Sequence, residues 1–368
     1  MFTALLLAAL ALAVWEVWLA WRRVRRGEPL KRNDRLLRRL LNAVLPPLVQ
    51  ACSISRPRVF TGLMHAFVAW GFFSYALGFL GHIFSAWGLE LPALAWPPDL
   101  LSAPVLVGVV YLFVRRAFAR PEHLRPPERE GILVKINFGH VNLESCVILL
   151  LISGIVITQL LWEAWGGVPA PVGRALSSLL GENPSLSQAA WWLHVLLVLG
   201  FMVWLPRTKH IHLLWGPVNR FFTNTGLEPT GVVRKLELED ESLDHFGAVL
   251  VKHLPWKSLS DGYACVECGR CQEVCPAYAT GKPLSPRAIM ENLKVAPVEG
   301  EIFKEVLTAG SAWTCTTCGA CLHVCPVGAL RPGKPFDRFR CYYRNRWLSE
   351  PCGFLCMRVC PYGAEYEC

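Results

Sequence analysis

Two short stretches, CVECGRCQEVCP at 265–276 and CTTCGACLHVCP at 315–326, each set four cysteines at C-x2-C-x2-C-x3-C with a proline after the last. Thiolates at that spacing converge on a [4Fe–4S] cube, and the glycines Gly269 and Gly319 let the backbone turn tightly around it. In two-cluster ferredoxins the fourth cysteine of each run serves the other cluster. One cluster then takes Cys265, Cys268, Cys271 and Cys325, and the other Cys315, Cys318, Cys321 and Cys275. A zinc site instead joins two C-x2-C pairs across a longer gap, and nucleophilic cysteine catalysis needs one thiol beside a base. Between the motifs, SPRAIMENLKVA and GEIFKEVLTAGSAW read as short helices, with Ser285 as an N-cap and Pro286 as a first helical residue.

Histidines form the second set. His65, His82, His194, His210 and His212 lie in long apolar runs, where an ionisable side chain is costly and marks function. The elements that must position them are membrane spans, each about 20 mostly apolar residues. Five runs qualify: Phe2–Trp21, Phe60–Trp87, Leu100–Phe118, Val141–Trp165 and Ala189–Leu214. Pro104 lies in the third, and Pro206 near the end of the fifth predicts a kink. The first run is too long for the apolar part of a cleavable signal, and its positive charge follows it.

The loops after spans one and three, WRRVRRGEPLKRNDRLLRRL and RRAFARPEHLRPPERE, are dense in Arg and Lys, whereas those after spans two and four carry little positive charge. The basic loops are therefore expected inside, the N-terminus outside, and everything after span five in the cytoplasm of a cell-membrane protein. That compartment keeps the motif thiols reduced. The net charge of +9 is thus topological, and nucleic acid is not an expected partner.

With spans two and five antiparallel, depth pairs His65 with His210 or His212 inside, and His82 with His194 outside. Four helical histidines at two depths can hold two b-type haems. In one continuous helix His194 and His212 stand five turns apart on one face, which favours His212 over His210. His65 and His82 fall about 100° off a common face. Arg207 and Lys209 are placed to meet haem propionates or to snorkel to the interface. Glu144 and Glu16 are acidic residues in spans with a possible proton-relay role.

The chain has 368 residues, 53% hydrophobic, enough for two domains and too apolar for a typical soluble one. The expected fold is all-α. A five-helix transmembrane bundle occupies 1–225, a polar linker 226–259, and a small helical ferredoxin domain 260–330. A Cys/Arg-rich tail at 331–368 is spaced C-x3-C-x3-C-P at Cys352, Cys356 and Cys360, which matches neither cluster motif and leaves a third metal site open. Cys52 and Cys146 read as ordinary buried thiols.

LMHAFVAWGF around His65, WWLHVLL around His194 and LPRTKHIHLLWGPVNRFF around His212 resemble the cytochrome b (gamma) subunit of respiratory nitrate reductase and the membrane subunit of heterodisulfide reductase. CPAYATGKPLSPRAIMENL and WTCTTCGACLHVCPV resemble the helical two-cluster ferredoxin of heterodisulfide reductase, fumarate reductase and glycolate oxidase iron–sulfur subunits. The fusion is similar to membrane iron–sulfur oxidoreductases that link electron-transfer flavoprotein to menaquinone. In the nitrate reductase subunit the second-span histidines stand closer together than His65 and His82. Fused relatives also carry Cys-Cys-Gly domains, and this sequence has no Cys-Cys-Gly. The resemblance implies an electron-transfer unit without the disulfide-chemistry part. It would work in membrane lipid, between quinone or quinol and a cytoplasmic redox protein such as an electron-transfer flavoprotein or a CCG-domain subunit. The other readings are a catalytic membrane reductase acting through the tail cysteines, a redox sensor, and a zinc-bearing membrane scaffold.

Overall fold

The computed structural model describes residues 2–328 except 31–33, 52, 55–57, 87–88, 90, 92–93, 95, 126, 128, 136–137, 169, 224–247 and 317. The regular structure of the described residues is helical, with two isolated bridges, Glu28 to Pro255 and Leu250 to Glu301, and no strand among them. Among the described residues five helices are long and apolar enough to cross a membrane: Phe2–Val24, Val59–Gly81, Trp96–Ala119, Asn142–Trp165 and Pro184–Arg207. The chain divides into two compact units that are not contiguous in sequence. Unit one is Met1–Glu16, Leu45–Pro121 and Phe138–Thr208; unit two is Val17–Val44, Glu122–Asn137 and Lys209–Cys368.

The elements of unit one include the first part of α1 (Phe2–Val24) and the end of α2 (Leu36–Leu48). They continue with α3 (Val59–Ala86), α4 (Trp96–Val114), α5 (Phe138–Trp165), α6 (Pro171–Leu180) and α7 (Pro184–Trp204). Its packing is that of a lipid-solvated protein. Val105, Val109 and Val156 form a small buried core with Val68, Leu101 and Ile152. Large apolar side chains such as Leu7, Val14, Val107 and Leu193 face outward. Lipid tails are as apolar as leucine, so helix association rests on close contact between small residues. A Cβ on Gly108 of α4 would stand 2.5 Å from the Met64 carbonyl of α3, and one on Gly71 of α3 would collide with Val105. α3 is unbroken through Gly71, Gly78 and Gly81.

Span five departs from expectation. α7 starts on Pro184, with Asn183 accepting from the Leu186 N–H as N-cap. It ends at Trp204, not Leu214. Leu205–Arg207 tightens to a 3-10 turn around Pro206, Thr208 is extended (φ −101°, ψ 178°), and a second 3-10 turn spans Lys209–Ile211. A new helix, α8 (His212–Phe221), follows. Proline lacks the N–H and clashes with the preceding turn, so the helix stops there. The five-turn count that put His194 and His212 on one face therefore does not hold, because no single helix joins them.

Unit two is built around α12 (Pro286–Val295), with α9 (Trp256–Ala264), α10 (Arg270–Glu273) and α11 (Pro276–Ala279) before it, and α13 (Ile302–Glu305), α14 (Ala309–Thr314) and α15 (Ala320–His323) after it. Ser285 caps α12 through the Ala288 N–H, and Pro286 opens it. GEIFKEVLTAGSAW forms two helices instead of one, since Thr308 caps α14 through the Ser311 N–H. Leu259, Leu284, Ile289, Leu293, Ile302 and Leu307 make the core. Arginines read as topological charge also work here. Arg23 donates to the carbonyls of Leu293 (2.8 Å), Lys294 and Ala296, closing the C-terminal end of α12. The fully buried Arg39 donates to the carbonyls of Asp34, Phe221 and Thr223 and pairs with the Asp34 carboxylate.

Candidate metal centre

The two cysteine motifs fold alike. The first cysteine of each ends a helix in nearly the same conformation, Cys265 after α9 (φ −61°, ψ 126°) and Cys315 after α14 (φ −69°, ψ 123°). Gly269 and Gly319 both adopt φ +74° in front of a four-residue helix, α10 and α15. At Gly269 the turn is closed further, because an added Cβ would collide with the His123 carbonyl. Gly269→Ala is expected to cost about 1–2 kcal/mol through the left-handed backbone alone, with the His123 clash added. A lower midpoint for thermal bleaching of the cluster absorbance checks this.

One cavity is lined by Cys265, Cys268, Cys271 and Cys325, together with Arg287 and Met290. Three thiols come from the first motif and the fourth from the end of the second. Cys321 senses the charges of Cys315, Cys275 and Cys318, the complementary four. Backbone N–H groups of Tyr278 and Ala277 point at the Cys275 sulfur, the kind of hydrogen bond that tunes a cluster.

Burial pushes the Cys265 thiol well above its ordinary value, with Glu291 adding to it, and does the same to Cys271 beside Cys268 and Cys265. Burial and the neighbouring Cys315 push Cys321 up to about 12. Thiols packed this way ionise only if a cation arrives with them, which is what an iron centre supplies. Among the described residues no three His, Cys, Asp or Glu are gathered closely enough to hold a single metal ion. Four thiols spread around a cavity suit a multi-atom cube better than one zinc.

A buried charged group flanks this cavity. Arg287, fully buried, donates through Nε to Glu291 (2.6 Å) and through Nη1 to the carbonyls of His123 and Arg125. Lys209 pairs with Glu267 at 3.5 Å, both buried. Motif spacing gave no sign of Arg287; its i,i+4 partner Glu291 in SPRAIMENL was the available signal.

Three of the four histidines expected to bind haem are engaged at Nδ1. In unit one, His65 Nδ1 meets Gln50 Oε1 (3.3 Å), and His194 Nδ1 lies 3.0 Å from the Ile155 carbonyl and 3.3 Å from Thr158 Oγ1. In unit two, His212 Nδ1 lies 2.8 Å from the Lys209 carbonyl, and the His210 ring is 5.8 Å away. The side chain of His82 and the tail cysteines lie outside the described residues. Arg207 pairs with Glu16 at 2.6 Å, which gives both residues a local partner.

Residues 261–329 match the 4Fe-4S dicluster domain family, so this part of the chain is an iron–sulfur domain. The chain is similar to the EtfAB:quinone oxidoreductase of Syntrophomonas wolfei subsp. wolfei, at 30% identity over 302 residues, 76% of this chain and 40% of that protein. It is 29% identical over 255 residues to the probable iron-sulfur-binding oxidoreductase FadF of Bacillus subtilis, covering 64% and 34% of the two chains. It is 29% identical over 256 residues to a probable membrane-anchored ferredoxin of Chromohalobacter salexigens, covering 67% and 34%. The chain thus spans about a third to two fifths of the length of these curated relatives. No solved structure matches it. The similarity is to iron–sulfur oxidoreductases and membrane-anchored ferredoxins, with electron transfer through [4Fe–4S] centres as the common element.

Proposed function

We propose that the chain is a membrane electron-transfer unit. It passes electrons between the quinone pool and a cytoplasmic redox partner through b-type haem and two [4Fe–4S] clusters. The observation that carries the reading is the cavity shared by Cys265, Cys268, Cys271 and Cys325, attached to a unit of apolar spans. Cys315, Cys318, Cys321 and Cys275 would hold the second cluster. A relative named for EtfAB and quinone supports a flavoprotein at one end and a quinone at the other. The basic loops keep the iron–sulfur domain cytoplasmic.

His65, His194 and His212, with His82 as the fourth, would hold haem. Engaging Nδ1 with a carbonyl or amide oxygen fixes the ring orientation and the tautomer that ligates through Nε2. Bound clusters and haem supply one-electron chemistry. The residues of the chain hold them, shield them from water and set the surrounding charge, Arg287 beside the first cluster above all.

A reduced-minus-oxidised optical spectrum of the purified full chain, with haem and non-haem iron counted on the same sample, tests this. Two haems and about eight non-haem irons are expected. One haem would remove His82 and the outer site. Clusters with no haem would leave the spans an anchor and overturn the cytochrome part.

A further inference from the structure

Unit one holds a buried polar cluster that none of this uses. Asp99 at the start of α4 is fully buried, and Gln159 and Glu163 on α5 are each 4% exposed. Asp99 accepts from the backbone N–H groups of Val172 (2.8 Å) and Gly173 (3.0 Å), the opening turn of α6. The Gln159 amide donates to Glu163 Oε1 at 2.7 Å. Glu163 lies under α6 so closely that a Cβ on Gly173 would stand 2.7 Å from the Glu163 Cβ.

The two carboxyls meet at Gly173, whose N–H donates to Asp99 Oδ1 and whose Cβ position lies 3.2 Å from Glu163 Oε2, and buried carboxyls gathered this closely favour keeping a proton on one of them. Both Asp99 oxygens already accept amide N–H bonds, whereas Glu163 Oε2 has no donor, so the carboxyl placed to carry a proton is that of Glu163. Three enclosed atoms make no hydrogen bond to the protein: Gln159 Oε1 and Glu163 Oε2 on α5, and Oη of Tyr75 on α3, whose ring packs on the Val105, Val109 and Val156 core of α4 and α5. Buried polar groups are otherwise almost always bonded. Together they are a phenol donor, an amide acceptor and a carboxyl able to give or take a proton. The surrounding helices present apolar side chains outward, so a molecule reaching this place by that side travels in lipid.

We infer that Tyr75, Gln159 and Glu163 bind the head group of a lipid-soluble quinone, with the Asp99–Glu163 pair as its proton donor and acceptor. This rests on the quinone-linked reading above and goes beyond it by naming the site. On reduction, the quinone would take two electrons from the [4Fe–4S] centres that the iron–sulfur domain would hold. The Glu163 O–H breaks as one quinol O–H forms, the pair is reprotonated from bulk water, and the second O–H forms likewise. Oxidation of quinol runs the same bonds in reverse. Tyr75 donates to the quinone oxygen, and Gln159 accepts from the quinol hydroxyl.

The test mixes the full-length protein with a short-chain naphthoquinol and follows reduction of its bound cofactors optically, with dithionite giving the total reducible at the end. Glu163→Gln is expected to slow the quinol-driven phase about 100-fold or more, and Tyr75→Phe to slow it less, both with the dithionite total of the parent. A parent that reacts while both variants match it would overturn this site and leave the quinone reading standing. A parent that does not react with quinol would overturn both. A second readout does not depend on loading. A hydrophobic carbodiimide is expected to label Glu163, and excess naphthoquinone to protect it, as read by peptide mass. Labelling that quinone leaves unchanged would assign the unmet polar atoms to internal water and overturn the site.

Discussion

Replacing Cys325 by serine is expected to abolish the cluster of the first motif, and replacing Cys275 to abolish that of the second. The cavity is lined by Cys265, Cys268 and Cys271 with Cys325, while Cys275 stands near Cys321 and Cys318 on the other side of the repeat. Each single variant should fall from about eight irons to about four. The deciding measurement is which paramagnetic signal disappears. Cys325→Ser and Cys265→Ser should remove the same signal, and Cys275→Ser the other. If Cys325→Ser and Cys315→Ser share a phenotype, each motif ligates its own cluster and the crossed assignment is wrong. Serine is nearly isosteric, so the readout isolates ligation from packing.

Arg287→Met is expected to destabilise the iron–sulfur unit by about 3–5 kcal/mol, because it leaves Glu291 as a buried charge without its guanidinium. Glu291 is 2% exposed, so water cannot take over the role of Arg287. The double variant Arg287→Met with Glu291→Leu should recover most of that loss, since a buried pair exchanged for apolar side chains is often neutral. Arg287 also donates to the carbonyls of His123 and Arg125, which lose a donor in both variants. A denaturant midpoint followed through cluster absorbance checks both. A double variant as unstable as the single one would place the cost in those carbonyls instead of in Glu291.

The parts of this molecule legible in its sequence are those where one physical rule governs a contiguous run. Cysteine spacing marks the iron–sulfur domain, matched at 261–329, because thiolates around a cube admit few separations. The width of a bilayer exposes the five spans because each is one long apolar run. The break at Thr208 was half legible: Pro206 announces a kink, but that His212 begins a new helix depends on the turn at Lys209–Ile211. Asp99, Gln159 and Glu163 were illegible. Each is a lone polar residue in an apolar window, and only the packing of α4, α5 and α6 brings them together. Arg23 and Arg39 were seen as loop charge, since their carbonyl partners are remote in sequence.

If the fourth cysteines cross as proposed, the braided arrangement of the two motifs would also order biogenesis. Neither set of four thiols is complete until the second motif has been synthesised, the first set waiting for Cys325 itself. Complete metal loading would therefore follow synthesis of all five apolar helices, which precede both motifs in the chain. A nascent chain that stalls between Cys275 and Cys315 leaves both sets of thiols incomplete. On the crossed assignment the fourth cysteines would thus serve as a checkpoint, since a chain lacking the second motif could hold neither [4Fe–4S] cluster through four thiols.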